Sequence, residues 1–476
     1  MGEQKQPDVV QAESIDTKKK KWWIWIIVAV VVIAVAAFLY VKFSNISIGN
    51  TTVNKSATEL TLASGEFDPE MLASALPKLS KLTKLSFPDT NLSGEEMELI
   101  RKAAKGVEIN YTLDVNGQSC DQATTKLDLT GLTSDQVAGT AEKLGLFSEL
   151  SEIELMSGGS CALTIDDVKQ LADAAPNANI HYEFDLFGKH ISTLDERVEY
   201  DSVEIGNAGV EEIRKALSVM TGCKYLLLDS CGIDNEVMAQ LRDEFPDKKI
   251  VWRIYLDTGY PFDFLTDEQV LRITYGLNDE NSKVLQYCTD VVYLDIGHNE
   301  ALTDFSFISN MTQLECLIAS LASVTDLSPL VSCQKLIWLE LIDCYYLTDI
   351  SPLKDIPSIR YLSISETEVS DISATDSLPN LERFGAVKRN IAPEAQERFR
   401  QLHPDCIAIF DWGANPYGYG WRYNHGTTFE YYAKMREVFH YDDGGFFGNQ
   451  KTAVYCPIYL KDFEGYPWYE WQTVDE

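Results

Sequence analysis

The sequence predicts an α/β solenoid, a curved stack of strand-and-return units that share one parallel sheet. Three observations predict it. Apolar residues recur in the frame L-x-x-L-x-L about every 22 residues through the C-terminal half. Upstream, strand-like and amphipathic helical segments alternate. No G-x-S-x-G, H-E-x-x-H or P-loop interrupts the pattern, and no Cys or His has zinc spacing, so the repetition builds structure and is not itself a set of reacting groups.

The elements follow in order. Residues 1–21 form a short tail ending in Lys18, Lys19, Lys20 and Lys21. Residues 22–41, "WWIWIIVAVVVIAVAAFLYV", are an unbroken apolar run long enough to cross a hydrocarbon core of about 30 Å. Trp22, Trp23 and Trp25 at one end and Tyr40 at the other suit the two headgroup boundaries. The lysines place the tail in the cytoplasm and the bulk of the chain outside, a single-pass anchor in contact with membrane lipid through Trp22–Val41. A cleavable signal peptide is the rival reading, since Ala34-Val35-Ala36 loosely fits a cleavage site; the apolar run continues past it through Tyr40. Residues 42–57 read as a linker.

Residues 58–290 carry strand cores "KLSFPDT", "EIELMSG" and "YLLLDSCG" roughly 70 residues apart. Each is followed by an amphipathic helix and a second strand: "VEINYTLDV", "ANIHYEFDL" and "KKIVWRIYL". The segments "KLDLTGLTSDQVAGTAEKL" and "VEIGNAGVEEIRKAL" add further strand–helix pieces. Ser93 with Glu96, Thr133 with Gln136, and Thr266 with Gln269 read as capping boxes at helix starts. One continuous solenoid is expected; a separate doubly wound domain is the alternative.

Residues 291–409 hold the short units, starting at Val291, Leu314, Leu336 and Ile359, with a degenerate one at Leu381. In "LTDISPLKDIPSIRYLSI", Ser351 reads as an N-cap and Pro352 as a first helical residue. Asp304, Asp326, Asp349 and Asp371 recur where a short side chain accepts turn N–H groups, which makes them turn residues and not catalytic carboxylates. This "LTDISPL" pattern resembles bacterial surface leucine-rich-repeat proteins of the internalin type, closely from Val291 to about Val387. The resemblance implies a horseshoe with a concave parallel sheet, 3₁₀-like turns behind it, and a role in protein recognition. The ladder position departs from the usual asparagine, reading Asn299, Ala322, Cys344 and Thr367. The upstream units resemble the helix-backed, ribonuclease-inhibitor style.

Residues 410–476 change character, with about 20 aromatics in roughly 67 residues. A solenoid needs its open core covered, so this stretch reads as a C-terminal cap. The sharper reading is a glycan-contacting module through Trp412, Tyr419, Trp421, Trp468 and Trp471, with cell-wall polysaccharide as ligand. The stretch also resembles tails that follow leucine-rich repeats in surface proteins of Gram-positive bacteria.

In L-x-x-L-x-L the leucines point inward, so alternate residues face out from the concave sheet. The third position reads Tyr293, Cys316, Trp338, Tyr361, Arg383; the fifth reads Asp295, Ile318, Glu340, Ser363, Gly385. Tyr, Trp and Arg in one column match hot-spot composition, which makes Tyr293, Asp295, Trp338, Glu340, Tyr361 and Arg383 the expected contact surface for a protein partner outside the membrane. The plainer alternative is that the aromatics stack on one another across strands.

A formal charge of −33 repels phosphate backbones and excludes nucleic acid as a partner. Of ten cysteines, Cys223, Cys231, Cys288, Cys333 and Cys344 fall on core positions; Cys120, Cys161, Cys316, Cys406 and Cys456 have no slot, and one disulfide among them is open. His425 and His440 with Asp411, Asp442 and Asp443 are the one loose polar cluster, without a matched nucleophile and base. No enzyme, no cofactor and no metal is expected.

Overall fold

Leucine spacing decides where each strand sits, and side-chain hydrogen bonds decide how each turn closes. The computed structural model describes residues 17–63, 65–259, 261–387, 390–411, 420–424 and 427–441. The described chain falls into two compact units. One holds the residues up to Asp185 with His190–Leu194 and Ser218–Gly222; the other holds Leu186–Lys189, Asp195–Leu217 and the residues from Cys223 onward.

In the first unit, an α-helix over Thr17–Ser44 contains the apolar stretch Trp22–Tyr40, with no part of that stretch buried. The expected linker is instead a hairpin. Strands Asn45–Ile48 and Thr51–Asn54 pair antiparallel and bury Ile48 and Val53. Strands Glu59–Thr61, Lys84–Thr90 and Glu108–Val115 then run parallel, closed by antiparallel Gln118–Asp121. Asn116 and Gly117 both have positive φ, the geometry of a tight type I′ hairpin turn, which ends the parallel run. Strands Lys126–Asp128, Glu152–Glu154 and Asn179–His181 make a second parallel sheet. In the second unit, Arg197–Asp201, Tyr225–Asp229 and Lys249–Asp257 are again parallel and again closed by an antiparallel strand, Pro261–Leu265.

The expectation of one continuous sheet is therefore not met. The parallel strands are shared among four sheets, two of them closed by hairpin strands. Within each sheet the strands lie in chain order, so no order reversal of the doubly wound type occurs. Ser93–Glu96 and Thr133–Gln136 do cap helices, through Ser93 N–H to Glu96 Oε2 (2.8 Å) and Thr133 N–H to Gln136 Oε1 (3.1 Å). Thr266–Gln269 does not. Thr266 is buried and accepts from Trp252 N–H (3.2 Å), and the next element is a strand. The strand expected in "VEIGNAG" lies upstream at Arg197–Asp201, and the helix starts at Gly206.

The seven-stranded parallel sheet of the second unit is the short-repeat array. Its strands are Val270–Arg272, Tyr293–Asp295, Cys316–Ile318, Trp338–Glu340, Tyr361–Ser363, Arg383–Gly385 and Ile407–Ile409, so it begins one strand before Val291. Leu294, Leu317, Leu339, Leu362 and Phe384 register across it and are fully buried. The return segments are 3₁₀ turns at Ser306–Asn310, Ser328–Ser332, Ser351–Asp355 and Ser373–Ser377. Their cap is the aspartate and not the serine: Asp349 accepts from Ser351 N–H at 2.7 Å, and Asp304, Asp326 and Asp371 do the same at 2.8 Å. Ser351 is itself the first 3₁₀ residue.

After four of these strands the chain turns through a non-glycine residue at positive φ: His298, Leu321, Asp343 and Glu366. Each such residue costs on the order of 1 kcal/mol, offset here because its N–H donates to the next repeat's backbone at 2.8–3.0 Å. The ladder occupants behind them satisfy the same carbonyl row by different chemistry. Asn299 Nδ2 donates to Ile273 O (2.7 Å), Cys344 Sγ to Ala319 O (3.3 Å) and Thr367 Oγ1 to Ile364 O (2.7 Å).

Candidate functional site: the covered sheet face

The column that sequence reading places on an open concave face is brought together as expected, in consecutive register: Tyr293, Cys316, Trp338, Tyr361, Arg383. Its exposure is not as expected. Trp338 and Glu340 are 0% exposed, and Tyr293, Asp295, Tyr361 and Arg383 are 2–3% exposed. The cover is the chain's own C-terminal stretch. Residues 420–424 and the helix Glu430–Val438, continuing to Tyr441, lie across the column.

The helix can do this because Tyr432, Met435, Val438 and Phe439 recur at three- and four-residue spacing and form one apolar face. Trp338 is the centre of the contact. Its ring lies 4.8 Å from Trp421 and 5.6–6.0 Å from Phe429, Tyr431 and Tyr432, the last three nearly parallel to it. Trp338 Nε1 has no acceptor among the described residues, so packing alone holds this ring. The plainer alternative, stacking within the column, also occurs: Trp338 and Tyr361 are 5.4 Å apart. Cys316 Sγ meets Met435 Sδ at 3.3 Å, and Tyr293 meets Phe439 edge-on.

The charged members of both columns reach the same segment. Glu340 accepts from Trp421 Nε1 (2.6 Å), Ser320 Oγ (3.0 Å) and Arg422 Nε (3.3 Å), and pairs with Arg422 Nη2. Arg383 donates to Gly420 O (2.6 Å) and Asn424 Oδ1, and its guanidinium sits 4.2 Å over Phe429. Asp295 accepts from Tyr441 Oη (2.6 Å) and Gly297 N–H (3.0 Å). Burial pushes the Asp295 carboxyl above its usual range, and it pushes the Cys316 thiol well above its own. Gly385 leaves room: a Cβ there would stand 2.8 Å from Ser363 Oγ and 3.2 Å from the Trp421 ring.

Of the residues read as a glycan surface, Trp421 is 2% exposed and offers no free ring face to a sugar; Trp412, Tyr419, Trp468 and Trp471 lie outside the described residues. His425, Asp442 and Asp443 also lie outside them. The described cysteines are free thiols, including Cys120, Cys161, Cys316 and Cys406, whereas Cys456 lies outside. Among the described residues no group of His, Cys, Asp and Glu could hold a metal ion.

The helix Glu430–Val438, the cover of the column, was missed by sequence reading. Its signal was in hand: "FEYYAKMREVF" has helical apolar spacing, and the column opposite it is too aromatic to stay wet.

No protein-family model matches the chain, and no curated protein matches it. Among solved structures, an internalin of Listeria monocytogenes is similar at 17% identity, covering 76% of this chain and 84% of its own, with a TM-score of 0.29. A leucine-rich-repeat protein of Leptospira interrogans is similar at 15% identity, covering 75% and 90%, also at 0.29. The functional domain of InlJ from Listeria monocytogenes, which includes a cysteine ladder, is similar at 13%, covering 70% and 74%, at 0.20. Scores this low add no argument. The leucine-rich-repeat solenoid fold of the short-repeat array rests on its strand register and repeat spacing.

Proposed function

We propose that this protein is a membrane-tethered recognition protein whose repeat array binds polypeptide on its concave sheet, and that residues 420–441 are an occupant supplied in cis. The observation that carries the reading is the grip of Trp338, Glu340 and Arg383 on that segment. Stacked aromatics, a partly buried ion pair and a capped backbone carbonyl are how a sheet surface holds a peptide, and they concentrate on few anchors as hot spots do. The apolar, uncovered helix at Trp22–Tyr40 supports a tether, and the lysines before it support an outward-facing array. A partner protein bearing similarly spaced aromatic and basic side chains would compete with the resident segment, and its apparent affinity would be reduced by the fraction of time the column is occupied.

The test uses the full chain in nanodiscs and a fluorescent peptide with the sequence of residues 420–441. Wild type should bind the peptide weakly. A Trp421→Ala/Arg422→Ala chain, with its own segment loosened, should bind it at least about tenfold more tightly. Adding Trp338→Ala and Tyr361→Ala should remove that gain. Equal binding by wild type and the loosened chain, or a gain that survives loss of Trp338 and Tyr361, would defeat the reading.

A further inference from the structure

Between the docked segment and the first strands of the array lies a cavity of about 210 Å³. Arg272 and Thr274 line it from the first strand and its exit, Ser320 from a repeat turn, and Arg422, Tyr432 and Arg436 from the segment. That volume far exceeds the roughly 15 Å³ that one water needs. Three arginines line one small space in a chain whose formal charge is −33.

Asp295 lines the cavity as well, but its oxygens and those of neighbouring Glu340 already accept hydrogen bonds. Asp295 spends Oδ2 on Tyr441 and Oδ1 on Gly297 N–H. Glu340 is engaged at both oxygens, by Ser320 and Arg422 at Oε1 and by Trp421 and Arg422 at Oε2. The donors are not all used. Arg272 gives Nη1 to Phe439 O (3.2 Å) and stacks 4.6 Å over Tyr441, but its Nε is buried without a hydrogen bond, 3.8 Å from Asp295. A buried guanidinium N–H without an acceptor is costly, and a charged acceptor relieves that cost most. His298, on the cavity wall, is held toward its neutral form by burial, so the positive charge there comes from the arginines.

We infer that this cavity is a binding site for a small oxyanion, a single carboxylate or an inorganic phosphate, held by Arg272, Arg422 and Arg436 with the hydroxyls of Thr274 and Tyr432. The long-range field of the chain repels polyanions. The site therefore takes a small anion that fits inside, where local donors outweigh that field. Because the lining comes from both the array and residues 422–441, the bound anion ties the segment down.

The experiment follows thermal unfolding of the full chain in detergent while sodium phosphate or sodium acetate replaces sodium chloride at constant ionic strength. A specific site gives a saturable rise in melting temperature, as for any ligand that binds only the folded state. A response to phosphate alone identifies a tetrahedral anion, and a response to acetate as well identifies a carboxylate. Arg436→Gln and Arg272→Gln should each weaken the apparent affinity at least about tenfold. If Arg272→Gln unseats the segment, seen as lost near-ultraviolet circular dichroism, Arg436→Gln, at a half-buried position of the helix, still decides. A linear response without saturation, or an unchanged affinity in Arg436→Gln, overturns the site.

Discussion

Replacing Glu340 with alanine removes the charged centre of the covered column while leaving the repeat leucines untouched. Glu340 is fully buried and accepts from Trp421, Ser320 and Arg422. Removing one partner of a buried pair costs about 3–5 kcal/mol, because the other charge and its donors lose their match. Arg422 keeps 35% of its side chain exposed and so recovers some hydration, which puts the expectation at the lower end, about 3 kcal/mol. The Trp421 indole N–H is left buried without an acceptor, and that loss is included in the figure. Native-state hydrogen exchange on the full chain in detergent reads the effect locally. Amides of Glu430–Val438 should lose about 3 kcal/mol of protection, while those of Leu294 and Leu317 in the sheet keep theirs. Combined with Arg422→Ala, the double variant should show about 2 kcal/mol of coupling. Unchanged protection of the helix, or coupling near zero, would mean that Glu340 does not hold the segment, and the account of the covered column would fail.

Gly385→Ala places a methyl group 2.8 Å from Ser363 Oγ and 3.2 Å from the Trp421 ring, so the same helix amides should lose about 1–2 kcal/mol of protection. Pairing it with Ser363→Ala should restore part of that loss. Glu268 is buried with Oε2 unpartnered, and burial, reinforced by Asp267, raises its carboxyl to about 9. It is protonated in the folded state at neutral pH but ionised in the unfolded chain, so unfolding releases a proton. Stability should then fall as pH rises from about 4.5 toward 9, by at most about 1.4 kcal/mol per pH unit. Glu268→Gln should flatten that slope in urea titrations and stabilise the protein at pH 8 relative to wild type, with little difference near pH 4. A parallel pH dependence in the variant would show that Glu268 is not the titrating group.

The parts of the fold legible in the sequence are those whose cause is local. Leu294, Leu317, Leu339 and Leu362 are buried because L-x-x-L-x-L repeats at a fixed period, and the Asp349-type turns close within a few residues. Serine and proline suit a helix start and point to Ser351 as the cap; the aspartate two residues earlier wins because the turn is 3₁₀, and its carboxylate reaches both Ser351 N–H and Oγ. The sheet breaks were legible too. Asn116-Gly117 is a strong two-residue hairpin signal, masked by a surrounding stretch that reads as continuous alternation. Thr266-x-x-Gln269 shows the opposite failure, a capping pattern with no helix behind it, because the Val270–Arg272 strand has a place in the sheet beside Tyr293–Asp295.

What no local pattern supplies is the pairing of residues far apart in the chain. Tyr441 reaches Asp295, and Arg422 reaches Glu340, across separations that periodicity does not constrain. The column's composition nevertheless carried a warning. A row of Tyr, Cys, Trp, Tyr and Arg with acidic neighbours is suited to a partner. A partner tethered to the same chain meets it at high effective concentration without the translational cost of a second molecule. The described part of the aromatic stretch, residues 420–424 and 427–441, covers the sheet face, where Tyr293, Trp338 and Tyr361 offer apolar surface for it to bury. Any external partner must therefore outcompete an occupant already attached. On the proposed reading, recognition by this column is set as much by how firmly Glu340 and Arg383 hold the segment as by what arrives from outside.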